Sequence, residues 1–373
     1  MDLSNMNMDD LKKKGIKILI IFGIVVVVLI VGIFVSQAIF GSVLPYDRVE
    51  EILASSAESY YKANEDKLPT VDGESVTVKH TKLTEEGYMK EITKYTKEEE
   101  ECTAEVTVTK NGKNFIYTPV LTCGKNYKTE FLVDVIKDAK VQSQAGVHFN
   151  ENTNEYVYKG EYVDNYVEYG GKTFRILKVT ADNKIRMIQE DLETGIIWDN
   201  RYNADVKNTV GINNFSLSRL KETLDNFYKD GKVLGEEYHD IVIPQSKCTE
   251  YQTVVDEEGN ESQECKTYAF QNQNYTTLYA EEFVAASLDS TCSGITDRRC
   301  SNYNYLSRYD KPYWTMTADT ATTYKAYKID TNLDLVRTSS KSGLKAVIEL
   351  SEKTLFESGN GSTDKPYKIK RLS

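Results

Sequence analysis

The chain is short of the residues that most often carry catalysis. It has only three histidines, His80, His148 and His239, spread over distant segments. Triads assemble in space, so spacing alone does not exclude one. No G-x-S-x-G elbow, H-E-x-x-H helix or phosphate-binding glycine loop occurs, however, and each histidine reads as a surface or locally bonded residue. C-x-x-C spacing is absent, which removes the usual zinc and thioredoxin-type readings. Positive charge is also scarce: 46 Lys and Arg face 57 Asp and Glu, for a net charge of −11. Such a surface is a poor partner for nucleic-acid phosphates, which need clustered cations. Internal repeats and long low-complexity tracts are missing. The acidic run Glu98–Glu101 reads as a solvated loop.

Metal and cofactor signatures fail in the same way. Asp330, Asn332 and Asp334 alternate like the start of an EF-hand loop, but Leu335 stands where glycine is required and Lys341 where the bidentate glutamate belongs. Trp198-Asp199-Asn200 has the composition of a lectin calcium tripeptide in the wrong order. No catalytic, cofactor-binding or metal-binding residue is therefore expected.

One long apolar run is present. Nothing charged lies between Lys17 and Asp47, and the unbroken core from Ile18 to Val35 is long enough, at about 1.5 Å per residue, to approach the roughly 30 Å hydrocarbon layer. Lys12, Lys13, Lys14 and Lys17 crowd its N-terminal side, and the first stretch beyond it is acidic. The positive-inside rule then predicts a cytoplasmic tail at 1–15, a transmembrane helix at 16–40 and everything further outside the cell. Ser36-Gln37-Ala38 has the form of a signal-peptidase site, but the apolar stretch exceeds the 7–15 residues of ordinary signal peptides. An uncleaved anchor is the expectation.

All six cysteines lie beyond that run: Cys102, Cys123, Cys248, Cys265, Cys292 and Cys300. In CTAEVTVTKNGKNFIYTPVLTC, two period-two strands flank a Lys110–Asn114 turn. One register sets Ala104 opposite Leu121, Val106 opposite Pro119 and Val108 opposite Tyr117, and it places Cys102 opposite Cys123. Directly opposed Cα atoms are about 4.5–5.5 Å apart, within disulfide range. Six cysteines allow fifteen connectivities and the sequence leaves the pairing of the last four open; Cys248 with Cys265, around a turn at 256–260, and Cys292 with Cys300, around a short loop, are the neighbouring pairs. Bridges of this kind persist only outside the cytosol.

The organisation beyond the membrane begins with an amphipathic helix after Pro45, placing Val49, Ile52, Leu53, Ser56, Tyr60 and Ala63 on one face. A strand, a short helix in KLTEEGYMKEI and the hairpin complete a membrane-proximal α+β module at 41–128. Residues 129–150 read as connector, and 151–373 as a larger, β-rich α+β domain. There YVYKG, TFRILKV, KIRMIQE, PYWTMTA, TYKAYKI and LKAVIELS are the strands. FSLSRLKETLDNFY is the main helix, with Leu217, Leu220, Leu224 and Phe227 on one face, and YAEEFVAASL is a shorter one.

Three resemblances follow from these stretches. SYYKANEDKLPTVDGESVTV through the cysteine-flanked hairpin looks like a membrane-proximal module of Gram-positive surface proteins. NYVEYGGKTFRILKVTADNKIRMIQ, LSRLKETLDNFY, KPYWTMTA, SGLKAVIEL and GNGSTDKPYKI fall in the order of a widespread bacterial surface domain of unknown function. Phe174 replaces that domain's tryptophan, and Lys345-Ala346 its Arg-Pro. Such domains look similar to the C-type-lectin and formylglycine-generating-enzyme superfold, which implies a fold and no activity. KKKGIKILIIFGIVVVVLIVGI resembles type IV pilin N-termini, except that Ile20 stands where that family has glutamate.

The expectation is a single-pass, membrane-anchored surface protein that binds or spaces something and catalyses nothing. Its partners would be the lipid bilayer and an external protein or glycan, with no nucleic acid. A pilin-like subunit and a surface enzyme of the formylglycine-generating type, with a reactive thiol at Cys292 or Cys300, are the alternatives. Trp198, Tyr313 and Trp314 are the candidate ligand-surface residues, although aromatics beside proline on a strand more often belong to a core.

Overall fold

The computed structural model describes residues 43–96, 101–255, 261–309 and 311–372. The expected membrane helix at 16–40 lies outside them. Among the described residues, no helix is long and apolar enough to cross a membrane. The chain is α+β and rich in strands, and it divides into two compact units. The first draws its described residues from 43–67, 77–107 and 119–128; the second comprises 68–76, 108–118 and the chain from 129 onward.

Early elements are α1 (Tyr46–Lys62), β1 (Ser75–Lys79), α2 (His80–Glu85), β2 (Cys102–Asn111), β3 (Asn114–Cys123) and β4 (Tyr127–Lys128), with the strands ordered β1-β2-β3-β4 in one sheet. Helix α1 begins directly after Pro45, whose missing N–H costs nothing at a helix start. Of the expected face it buries Val49, Leu53, Ser56 and Tyr60, together with Glu50, Ala54, Ala57 and Tyr61, whereas Ile52 is half-buried and Ala63 is exposed just past the helix end. In the hairpin, Ala104, Val106, Val108, Leu121 and Cys123 are buried, as the alternation requires. The strands turn through Gly112 and Lys113, with Gly112 at φ 60°, a conformation that glycine adopts without strain. The Cys102–Cys123 disulfide closes the hairpin with Cα atoms 4.1 Å apart.

The region expected as connector is structured. Leu132, Val133 and Ile136 make the buried face of α3 (Leu132–Asp138), and β5 (Gly146–Asn150) pairs with β6 (Glu155–Lys159). Next come β7 (Tyr166–Tyr169), β8 (Lys172–Val179), β9 (Ile185–Gln189), β10 (Glu193–Ile197), α4 (Arg219–Lys229), β11 (Gln245–Val255), β12 (Glu261–Gln273) and α5 (Ala280–Ala285). The chain finishes with β13 (Tyr313–Ala318), β14 (Lys325–Ile329), β15 (Leu333–Arg337), β16 (Lys341–Leu344), β17 (Val347–Leu350), β18 (Phe356–Ser358) and β19 (Tyr367–Ile369).

These strands form an eight-stranded sheet, β17-β9-β8-β7-β19-β18 with β5 and β6 attached, and a five-stranded sheet, β10-β16-β13-β14-β15. One continuous apolar cluster lies beneath both. The segment read as a single strand, LKAVIELS, is broken. Leu344 ends β16 in one sheet and Val347 starts β17 in the other, so the chain changes sheets at Lys345-Ala346. The main helix is shorter than its pattern suggested. Ser218 caps it by accepting from the Lys221 N–H, so Leu217 falls outside and is 60% exposed.

Strand β9 carries a buried charge at its second residue. Arg186 is 3% exposed, yet it bonds the carboxylates of Glu282 on α5 and Glu349 on β17, the Gln245 side chain and the Thr277 carbonyl. Burial pushes the Glu282 carboxyl upward, but the Arg186 guanidinium outweighs it and holds the group below the ordinary carboxylate range. Removing one member of such a cluster strands the others in a medium of low polarity. Arg186→Ala is therefore expected to destabilise the protein by about 3–5 kcal/mol in urea unfolding. A carboxyl depressed by folding stabilises above its unfolded value, near 4.3, and that stabilisation drains away as pH falls through the lower folded value. The stability gap between wild type and Glu282→Gln should thus be full at neutral pH and shrink below about pH 4.

Candidate functional site

All three aromatic candidates lie in the interior. Trp198, Tyr313 and Trp314 are each 0% exposed. The indole N–H of Trp198 donates to the Thr315 carbonyl at 3.0 Å, and that of Trp314 donates to the Ile196 carbonyl at 3.0 Å. The two rings thereby fasten β13 to the end of β10 by reciprocal bonds. The Tyr313 hydroxyl donates to the Leu306 carbonyl at 3.0 Å. These residues present no face to a ligand, which corrects the ligand-surface expectation: an aromatic whose polar edge finds a backbone acceptor can be buried whole.

The six cysteines behave as the sequence suggested. Cys102–Cys123, Cys248–Cys265 and Cys292–Cys300 are disulfides. Cys292 and Cys300 share one bond, so neither supplies the thiol that a formylglycine-generating site would need. The histidines are held locally: His148 and His239 by the Gln144 and Leu234 carbonyls, His80 by the Ala104 backbone. Asp199 is fully buried and engaged by the Arg201 guanidinium, which leaves it unsuited to calcium. Among the described residues, no cluster of His, Cys, Asp or Glu could hold a metal ion.

The second unit instead presents an exposed ribbon with a cleft at its root. Among the described residues, strands β11 and β12 pair only with each other, and most of their side chains face solvent, including Tyr251, Val255 and Tyr268. A two-stranded ribbon is marginal in water without support. Here irregular register near Cys248 brings it within 5.7 Å, Cα to Cα, of Cys265, although their register partners are Tyr268 and Tyr251. The staple sits near the base of the ribbon.

Below it lies a cleft of 570 Å³. Its apolar floor includes Val157, Leu177 and Ala285, and Lys247, Thr249 and Ala269 reach it from the ribbon. Lys178 and Glu155 form an ion pair at 2.6 Å on one side. On the other, the Thr317 hydroxyl donates to Glu281 at 3.1 Å. Tyr279 lies between two cations, with Lys247 Nζ 5.4 Å and the Arg186 guanidinium 5.3 Å from its ring centroid. Burial drives its hydroxyl well above the usual phenol range, so it stays protonated. The cleft thus combines two ion pairs, a stacked cation and a hydroxyl–carboxylate contact over an apolar floor.

Sequence reading missed this cleft because its residues come from seven separate segments. One local signal was available. KIRMIQ and TFRIL each place an arginine inside an otherwise apolar strand, and a charge in that position has to be met by something buried.

Both tryptophans of the chain are fully buried, so native emission should be blue-shifted and resist acrylamide, with a red shift only on unfolding. Trp198→Phe removes one indole donor and should cost about 1–3 kcal/mol in the same melts. For the ribbon, a Cys248→Ser, Cys265→Ser double variant should leave the main thermal transition in place while limited proteolysis newly cuts between 248 and 265. Unchanged resistance there would show that the staple does not order the ribbon.

No protein family, curated protein or solved structure matches this chain.

Proposed function

We propose that the chain is a single-pass membrane protein, its N-terminus cytoplasmic and the region beyond about residue 41 outside the cell, where it acts as a binding or structural surface protein without catalysis. The observation that carries this reading is that every cysteine lies beyond the apolar N-terminal run and is joined in a disulfide. Three such bonds persist in an oxidising exterior and not in a reducing cytosol. The Ile18–Val35 run and the lysines before it supply the anchor and its orientation.

On this reading the second unit is the distal, partner-facing part, a member of the bacterial surface domain whose motif order it shares and an instance of the lectin-like superfold. The Cys102–Cys123 hairpin belongs to the membrane-proximal module. The stapled ribbon and the cleft at its root are the surface for an external protein or glycan, because they combine exposed tyrosines with a mixed polar and apolar hollow.

Topology is the test. Protease added to intact cells, with any covering wall removed, is expected to release the large C-terminal fragment, and rapid acid quenching followed by alkylation should leave all six cysteines unmodified until reductant is added. A fragment that survives external protease, or Cys102 and Cys123 recovered as thiols, would overturn the proposal.

A further inference from the structure

The eight-stranded sheet carries a second embedded arginine whose situation differs from that of Arg186. Arg175 on β8 is 6% exposed. Its Nε donates to Asn165 Oδ1 at 2.8 Å and its Nη2 to the Val163 carbonyl at 3.3 Å. The guanidinium lies between two rings, 4.3 Å from the Tyr166 centroid and 4.6 Å from that of Tyr305. Among the described residues, no carboxylate stands within 4.0 Å of it. The other buried cations are neutralised: Arg186 has Glu282 and Glu349, and Lys345 has Glu190 at 3.7 Å.

Neutral acceptors and π faces offset part of the cost of burying a cation, but a paired anion offsets more. Arg175 lines a pocket of 660 Å³, separate from the ribbon cleft except for the shared Tyr305. The pocket is walled by tyrosines. Tyr162 at the rim is 73% exposed, with the Arg308 guanidinium 4.1 Å from its ring centroid. Two of the pocket's three carboxylates are engaged. Glu161 pairs with Arg308 at 2.8 Å, and Glu190 accepts the Tyr309 hydroxyl and faces Lys345. The third, Asp164, is exposed on the pocket wall and has no cation within 4.0 Å among the described residues.

We infer that this pocket is a binding site for a carboxylate-bearing sugar, whose carboxylate meets the unneutralised Arg175 guanidinium while its ring lies against the Tyr162 wall and its hydroxyls donate to Asp164. The fork of a guanidinium matches a carboxylate in two parallel hydrogen bonds. Tyrosine faces and hydroxyls suit a ring that is apolar on its face and polar at its edge. A carboxylate without a cation and a cation without an anion, lining one pocket, select a ligand holding both an anion and donors. This site is independent of the anchoring proposed above and of the ribbon cleft.

The full chain, purified in mild detergent, would be titrated with glucuronate, glucose and glycine and followed by ligand-observed NMR. Saturable glucuronate binding is expected, with glucose at least about tenfold weaker because it leaves Arg175 unpaired. Glycine, which carries a carboxylate without a ring, should also bind more weakly. Arg175→Lys keeps the charge but loses the fork and should weaken glucuronate by about tenfold. Tyr162→Ala, at an exposed position where folding is not at stake, should weaken it several-fold, and native tryptophan emission reports that each variant is folded. Equal binding of glucose and glucuronate, glycine binding as tightly as glucuronate, no saturable glucuronate binding, or Tyr162→Ala and folded Arg175→Lys proteins that bind like wild type would each overturn the assignment.

Discussion

A single buried guanidinium holds the second unit's architecture in register. Arg186 leaves the start of β9 and reaches α5, β17, the first residue of β11 and the segment just after β12. Those are the edge of the large sheet, a side of the ribbon cleft and the root of the ribbon. Two carboxylates against one cation in a nonpolar setting form a poor source of net stability compared with apolar packing. They do make every alternative arrangement worse, since any slip of one element leaves an unpaired buried charge. The cleft takes its shape from that restriction: Tyr279 and Glu282 are set by α5, and α5 is set by Arg186.

The same logic explains why the chain can change sheets at Lys345-Ala346. An exposed crossover would leave the junction of two sheets open. Instead the Lys345 side chain is buried, its ammonium donating to the Gln189 carbonyl at 3.3 Å and lying 3.6 Å from the Tyr309 ring centroid. Burial lowers its pKa to about 8, while Glu190 pulls the other way. The Thr277 hydroxyl bonds the Lys345 carbonyl at 2.9 Å, so the backbone at the crossing is satisfied as well. Further along, a side chain at Gly361 (φ 81°) would collide with the Asp164 carbonyl. That close approach lets the Gly361 carbonyl accept from Tyr166, which in turn flanks the Arg175 pocket. Crossover, glycine and pocket wall are parts of one packed corner.

Disulfides act at a different level. The hairpin bridge joins two strands that already belong to a four-stranded sheet, whereas the Cys248–Cys265 bridge holds a ribbon with no other strand beside it. In the first case the covalent bond adds to a fold that burial already favours. In the second it replaces burial that is missing. That contrast accounts for how a largely solvated pair of strands keeps a defined conformation.

Local pattern was enough for much of this. Alternation and turn chemistry marked the hairpin and put its cysteines opposite each other; apolar periodicity marked α1 and the core of α4; closeness in the chain suggested the other two cysteine pairs, which the folded structure decided. Each of these depends on residues close in the chain, where period and reach decide the outcome. The 129–150 segment was missed, since a seven-residue helix and a five-residue strand are too short for periodicity to stand out. What residues such as Trp198 and Arg175 do could not be settled locally, because their partners are 117 residues away for Trp198 and, for the stack on Tyr305, on an element far along the chain. The amino-acid order alone determined the strongly patterned elements, α1, the hairpin and the core of α4, and the facing of Cys102 and Cys123. Only tertiary packing decided whether an aromatic is core or surface and whether an embedded charge meets a carboxylate or an open pocket, because burial and pairing are properties of distant residues brought together.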